Sequence, residues 1–183
     1  EHSMSSILKV DQLQDSGGNA FITSDGSGNI TTQKLLYPAF EAYLSADQTN
    51  ITDNVVTKLQ ANTENLDTDS CYDNSTNYRF TPTVAGKYYV YHNSKIQVNT
   101  SATMANFTVD IYKNGSVYAS TTHDPIDGYI NASNLICVSI IDMNGTTDYV
   151  EAFAKCNVTG SGNTWRFDAG NKSCMFGAYR IGD

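Results

Sequence analysis

The run from Arg79 to His92, RFTPTVAGKYYVYH, limits the folds open to this chain more than any other stretch. After Gly86, a strand of period two sends Tyr88, Val90 and His92 to one face and Lys87, Tyr89, Tyr91 and Asn93 to the other. A half-buried strand hides one face and wets the other. Here large rings stand on both. The Tyr88 set is expected to fill an interior, while Tyr89 and Tyr91 need cover from elsewhere.

The rest of the chain supplies strands and turns rather than helices. Only 16% of its 183 residues are charged, and twelve tyrosines stand beside seven phenylalanines and one tryptophan. Thr, Tyr and Val suit a pleated surface, Asn and Gly suit turns, and the Ala, Leu, Glu and Lys of long helices are scarce. From Tyr37 onward the apolar runs come with regular turn signals. PAFEAYLS (38–45) alternates, with Phe40, Ala42 and Leu44 opposite Glu41 and Tyr43, and NVVTKLQANTENL (54–66) follows. FTVDIYKNGSVYAST (107–121) reads as a hairpin around Asn114-Gly115. ASNLICVSIIDM (132–143) is nearly all apolar, as expected of a strand covered on both faces. With GTTDYVEAFAKCNV (145–158) and SCMFGAYRIGD (173–183), eight or more strands predict an all-β sandwich or jelly roll over residues 37–183.

Residues 1–36 read as a separate extended leader. Glu1 to Ser3 look like a cloning remnant, and the opening carries no signal-peptide pattern. DSGGN (15–19) recurs ten residues later as DGSGN (25–29), a repeated hairpin signal between short apolar runs. Those runs are too short to bury a core alone. They suit a repeating ribbon supported by other chains, or a partly ordered linker.

Several chemistries lack their equipment. A formal charge of −8 disfavours nucleic-acid binding, and no apolar run is long enough for membrane insertion. Only His92 and His123 lie outside the remnant, with no Gly-x-Ser-x-Gly and no phosphate-binding glycine loop, so no enzyme is expected. Cys71, Cys137, Cys156 and Cys174 form no Cys-x-x-Cys pair and no zinc spacing; they read as buried free thiols plus one in a loop, or include a Cys156–Cys174 disulfide. No cofactor is expected. The acidic stretches 47–54 and 67–74 could offer oxygens to a calcium ion, without an EF-hand register. Ten Asn-x-Ser/Thr triplets begin at Asn29, Asn50, Asn74, Asn99, Asn106, Asn114, Asn131, Asn144, Asn157 and Asn171; composition and turns account for them as readily as glycans do.

The segment around the opening run resembles the globular head of complement C1q, a relative of the tumour necrosis factor jelly roll. Asp67, Tyr72, Phe80, Gly86 and Tyr88 follow that family's pattern with one extra residue before Phe80, and Val90 and His92 stand where it carries Phe and Tyr or Phe. PAFEAYL looks like its first strand, DYVEAF like the strand after its Gly-Asp turn, and MFGAYRI like its last, in order over residues 38–183. The leader is similar to the openings of marine bacteriophage fibre and virion proteins. The resemblance implies a homotrimeric jelly roll of about ten strands whose opening-run sheet meets its copies around a threefold axis. Parity on that sheet then sends Tyr43, Tyr89, Tyr91, Phe153, Met175 and Tyr179 outward to the trimer interface, with Glu151 and Lys155 placed to pair across subunits. The implied function is a virion head on a fibre or decoration protein. Its leader would join other virion proteins, and its loops, with Tyr129 and an exposed Trp165, would meet a host-cell surface receptor or glycan. The alternative is a secreted cellular C1q-like lectin or ligand module. Either way the location is the virion or the extracellular space.

Overall fold

The computed structural model of the chain describes residues 10–32, 37–99, 102–125, 130–159 and 163–182. It falls into two units, Glu1–Leu36 and Tyr37–Asp183.

In the first unit, β1 (Gln12–Gln14), β2 (Ala20–Ser24) and β3 (Ile30–Thr32) form an antiparallel meander. Its two turns are built alike. Asp15 Oδ1 accepts the backbone N–H groups of Gly17 (2.8 Å) and Asn19 (2.9 Å), and Asp25 Oδ1 accepts those of Ser27 (2.7 Å) and Asn29 (3.1 Å). Gly18 and Gly28 precede the two asparagines at φ +82° and +91°, a conformation that a Cβ disfavours. The repeat in the sequence is therefore a repeat in hydrogen bonding.

The second unit holds β4 (Ala39–Tyr43), β5 (Gln48–Thr52), β6 (Thr57–Lys58), β7 (Thr63–Asp67), β8 (Tyr72–Asp73), β9 (Arg79–Phe80) and β10 (Gly86–Val98). β11 (Met104–Lys113), β12 (Ser116–His123), β13 (Ala132–Met143), β14 (Val150–Val158), β15 (Thr164–Phe167) and β16 (Met175–Gly182) follow. The pieces outnumber the ten strands expected because short ones, such as β6, β8 and β9, were not separable by pattern. Residues 54–66 are one such case: they split into β6 and β7, with Leu59 and Ala61 buried between them.

These strands make a jelly-roll sandwich of two antiparallel sheets. β10 is the spine of the first. β13 pairs along one of its edges, from Gly86 opposite Met143 to Gln97 opposite Ala132. The other edge is shared by β16, as far as Asn93 opposite Met175, and β15, from Ile96 opposite Phe167. β4 and β7 continue the sheet beyond β16, and β5 beyond β15. The second sheet runs β12-β11-β14-β9-β8, with β6 also on β14. Asn114 and Gly115 close the β11–β12 hairpin with positive φ at both positions (51° and 79°), as a two-residue turn with right-handed strands requires.

The opening run obeys its parity. Tyr88, Val90, His92, Ser94, Ile96 and Val98 are buried, and the residues between them face outward. Phe40 stacks on both Tyr72 and Phe80 with centroids 4.5 Å apart, and meets Phe176 edge-on at 5.1 Å. These rings form an aromatic cluster within the core, each such pair adding about 0.5–1.5 kcal/mol beyond burial. One polar cluster sits inside it. His92 Nδ1 faces the Asp110 carbonyl at 3.1 Å, and Nε2 faces Ser94 Oγ at 2.7 Å. A carbonyl only accepts, so Nδ1 carries the proton and Ser94 donates to Nε2.

Candidate functional site

Registers across the first sheet arrange its outward side chains in three rows. In the first, Ile140, Tyr89 and Tyr179 lie side by side on β13, β10 and β16. The second runs Val138, Tyr91, Gly177, Glu41 and Leu66; the third runs Ile136, Asn93, Met175, Tyr43 and Thr63. With strands ~4.8 Å apart and rows ~7 Å apart, the patch covers on the order of 300 Å² in plan. Charge bounds it at both ends. Lys87 meets Asp142 at 3.3 Å one row above, and Lys95 meets Asp168 at 3.0 Å one row below. The face is mostly apolar, with Glu41, Asn93 and Thr63 as its polar members, and it is rimmed by charge, as protein interfaces are.

Exposure is high along β13 and at Tyr179, while Tyr43, Tyr89, Tyr91 and Met175 are half-buried. Ile136, Val138 and Ile140 are 55%, 45% and 54% exposed, and Tyr179 46%. β13 is therefore covered on one face only, contrary to the expectation drawn from its apolar run. That run hid the three isoleucine and valine positions; the alternating Cys137 and Ser139 were the signal that could have revealed them. β13 and β12 are the outer strands of the two sheets at one side of the sandwich. There the exposed Val117 and Tyr118 carry the apolar surface around the edge, with the Tyr118 hydroxyl donating to the Ile140 carbonyl at 3.4 Å.

The centre of the patch is held rigid. A Cβ on Gly177 would overlap the Tyr91 ring, so the ring lies across the glycine. Its hydroxyl donates to Glu41 Oε2 at 2.5 Å, while Asn65 Nδ2 donates to Glu41 Oε1 at 2.7 Å. Burial, and then the neighbouring Glu41 carboxylate, push the Tyr91 phenol well above its ordinary pKa. Tyr89 and Tyr179 lie 5.4 Å apart, centroid to centroid.

Five of the six side chains assigned outward by parity, Tyr43, Tyr89, Tyr91, Met175 and Tyr179, share this face. Phe153 does not. It belongs to β14 of the other sheet, opposite Asp110 and Lys58, packed on Tyr112 at 4.3 Å with Lys58 Nζ 5.4 Å from its ring. Period two fixes which side of a strand a residue takes, not which sheet the strand joins. Glu151 accordingly pairs within its own chain, accepting from Lys58 Nζ at 2.6 Å.

Trp165 also departs from expectation. It is 1% exposed, donates Nε1–H to the Thr52 carbonyl at 3.1 Å and packs on Phe167. Tyr129 lies outside the described residues. Near Trp165 the outward face turns polar. Thr49, Asn50, Gln97, Asn99, Thr164 and Arg166 line a groove of about 280 Å³. Arg166 Nη2 donates to Gln97 Oε1 at 2.6 Å, and its Nε lies 3.2 Å from the Asp47 carboxylate.

The acidic loops put their oxygens to structural use. Asp67 accepts the N–H groups of Cys71 and Tyr72, and Asp73 accepts those of Ser75, Thr76 and Asn77. Those bonds hold the Asp73 carboxyl far below its ordinary pKa. Among the described residues no group of three or more His, Cys, Asp or Glu is arranged to hold a metal ion. All four cysteines are free and buried, including Cys71. Burial pushes the Cys174 thiol up to about 11 and the Cys156 thiol up to about 12, the reverse of an activated nucleophile. His92 is fully enclosed, and His123 meets Ser133 Oγ at a long 3.4 Å. No helix among the described residues is long and apolar enough to cross a membrane.

No known family's sequence model matches the chain, and no curated protein is similar enough in sequence to count as a relative. Solved structures do match. Murine APRIL, crystallised at pH 5.0, has a TM-score of 0.56 at 8% identity, covering 79% of this chain and 99% of that one. The same protein at pH 8.5 gives 0.55 at 7% identity with the same coverage. At such identity the likeness is one of fold: a jelly roll of the tumour necrosis factor and C1q type.

Proposed function

We propose that Tyr37–Asp183 is a non-enzymatic homotrimeric head of a virion fibre or decoration protein, presenting its loops to a host-cell receptor or glycan. The observation that carries this reading is the outward three-row face centred on Tyr91 and bounded by the two lysine ion pairs. Two different apolar surfaces, the sheet face and the sandwich edge at Val117 and Tyr118, favour a head-to-tail contact that closes into a ring. The resemblance of the leader to phage virion proteins supports the location. The groove at Gln97 and Arg166, lined by amides and hydroxyls, suits a sugar. The raised thiol pKa values and the enclosed His92 support a head that binds rather than catalyses.

Light scattering on the purified chain tests the assembly. A mass of three times 20.0 kDa is expected, falling to that of one chain in Val138→Asp. A wild type that stays monomeric at micromolar concentration would overturn the reading. A secreted cellular module is the second reading, favoured by the exposed sequon residues Asn50, Asn99 and Asn131. Expression through a eukaryotic secretory pathway, with mass spectrometry of those sites, separates the two. Asn29, Asn114 and Asn144 already spend their side chains on turns.

A further inference from the structure

We propose that the apolar face of the leader sheet packs against the same face of the leaders of two other copies, so that three leaders form a shaft with one shared core. The inference rests on the trimeric reading of the head.

The sheet is two-sided. Leu13 stands opposite Ile22, and Ser24 opposite Ile30, so Leu13, Ile22 and Ile30 share one face. Gln12 stands opposite Thr23 on the other, which also carries Phe21, 48% exposed. With Val10, and with Asp11, Gln12, Ser24 and Gly28 at its polar margin, the apolar set lines a groove of about 250 Å³. Yet no residue from Val10 to Ile30 is buried; Leu13 is 37% exposed and Ile30 68%. Three strands this short do not hold together in water without a covered apolar face. Among the described residues of the leader nothing covers it.

Copies of the same leader fit the role of cover best. Ile30–Thr32 lies only a few residues before Tyr37, the start of the head. A trimeric head therefore holds three leaders at an effective concentration on the order of millimolar, which an independent partner must match. Charge opposes the packing at one residue, Asp11, which lines the groove. Residues 10–32 contain Asp11, Asp15 and Asp25 and no basic residue, but Asp15 and Asp25 bend into their own turns. The ten-residue repeat of strand and Asp-capped turn gives successive segments of such a ribbon the same form.

Leu13→Cys and Thr23→Cys in the full chain test this by parity. Under mild oxidation Leu13→Cys is expected to give disulfide-linked dimers on a non-reducing gel, while Thr23→Cys, on the opposite face, and wild type, whose four thiols are buried, do not. Equal cross-linking of both variants, or of neither, would overturn the shaft. Light scattering on the same samples distinguishes the failures: a trimer with unlinked Leu13→Cys removes the shaft alone, and a monomer removes the trimeric head with it. Hydrogen exchange adds an independent readout. Amides of residues 10–32 should exchange at least tenfold slower in wild type than in Leu13→Asp/Ile22→Asp, with the head still trimeric. Equal rates in the two trimers would also overturn the proposal.

Discussion

The ring of Tyr91 lies across Gly177 on the neighbouring strand, in space that any side chain at 177 would occupy. From there its hydroxyl reaches Glu41, one strand further, at 2.5 Å, so one residue ties β10 to β4 over the top of β16. The centre of the outward face is preorganised by this arrangement. Gly177→Val should lift the ring and break the bond to Glu41. Unfolding stability is expected to fall by about 1–3 kcal/mol, the usual cost of overpacking, and the assembled mass should fall with it. Tyr91→Phe keeps the ring over the glycine. It should stay assembled and lose about 1 kcal/mol, the worth of one hydrogen bond. Denaturant melts paired with light scattering report both quantities.

Phe153 gives the contrasting case. It lies on the far sheet between Tyr112 and Lys58, away from the face that carries Tyr91. Phe153→Ala should therefore cost stability without changing the assembled mass. A loss of about 1–3 kcal/mol fits a half-buried ring, below the ~3–5 kcal/mol of a fully buried one. Dissociation of Phe153→Ala on a sizing column would return Phe153 to the assembly face.

Local physics made some of this legible in the sequence, and distance hid the rest. Alternation placed Tyr88 inside and Tyr91 outside correctly because side-chain direction depends only on the strand's own pleat. Asn114-Gly115 announced its turn because two positive φ angles require such residues. The sheet that β14 joins is decided by pairing with β11, some forty residues away, and no pattern within 145–158 encodes it. The exposed face of β13 was hidden for a related reason: an apolar run reads as doubly covered even where one of its faces stands open. Trp165 was misjudged from the polar loop around it, although its ring faces the core and its N–H has a partner in Thr52.

The cysteines carry a prediction about reactivity. All four are free and buried, and desolvation raises each thiol above its ordinary pKa. An aromatic disulfide reagent at pH 8 should label the native protein slowly or not at all. The full count of four should appear once the chain is unfolded. Fast labelling of one equivalent in the native state would show a thiol accessible in solution, with Cys71 the first to check at 7% exposed.

His92 should make the jelly roll acid-sensitive in a defined window. Burial holds its imidazole neutral and lowers its pKa from 6.5 to about 4, against a smaller opposing effect of the Asp110 carbonyl. The unfolded chain therefore binds this proton first as pH falls. Stability contributed by the neutral ring is complete above pH 6.5 and is lost between about 6.5 and 4, a change of about 3 kcal/mol. The carboxylates held low by turn and ion-pair contacts, such as Asp73, Asp148 and Asp168, lose their contributions only below pH 3.8. Asp110, raised by burial, works in the opposite sense: its penalty is relieved as pH falls through its raised value, so it offsets part of the His92 loss. Urea melts at pH 7 and pH 4.5, with protein concentration fixed so that assembly does not shift the midpoint, should show the loss. In His92→Phe the difference between those two pH values should largely vanish, at the cost of lower stability at pH 7 from the orphaned Asp110 carbonyl and Ser94 hydroxyl. An unchanged difference in that variant would place the acid sensitivity elsewhere.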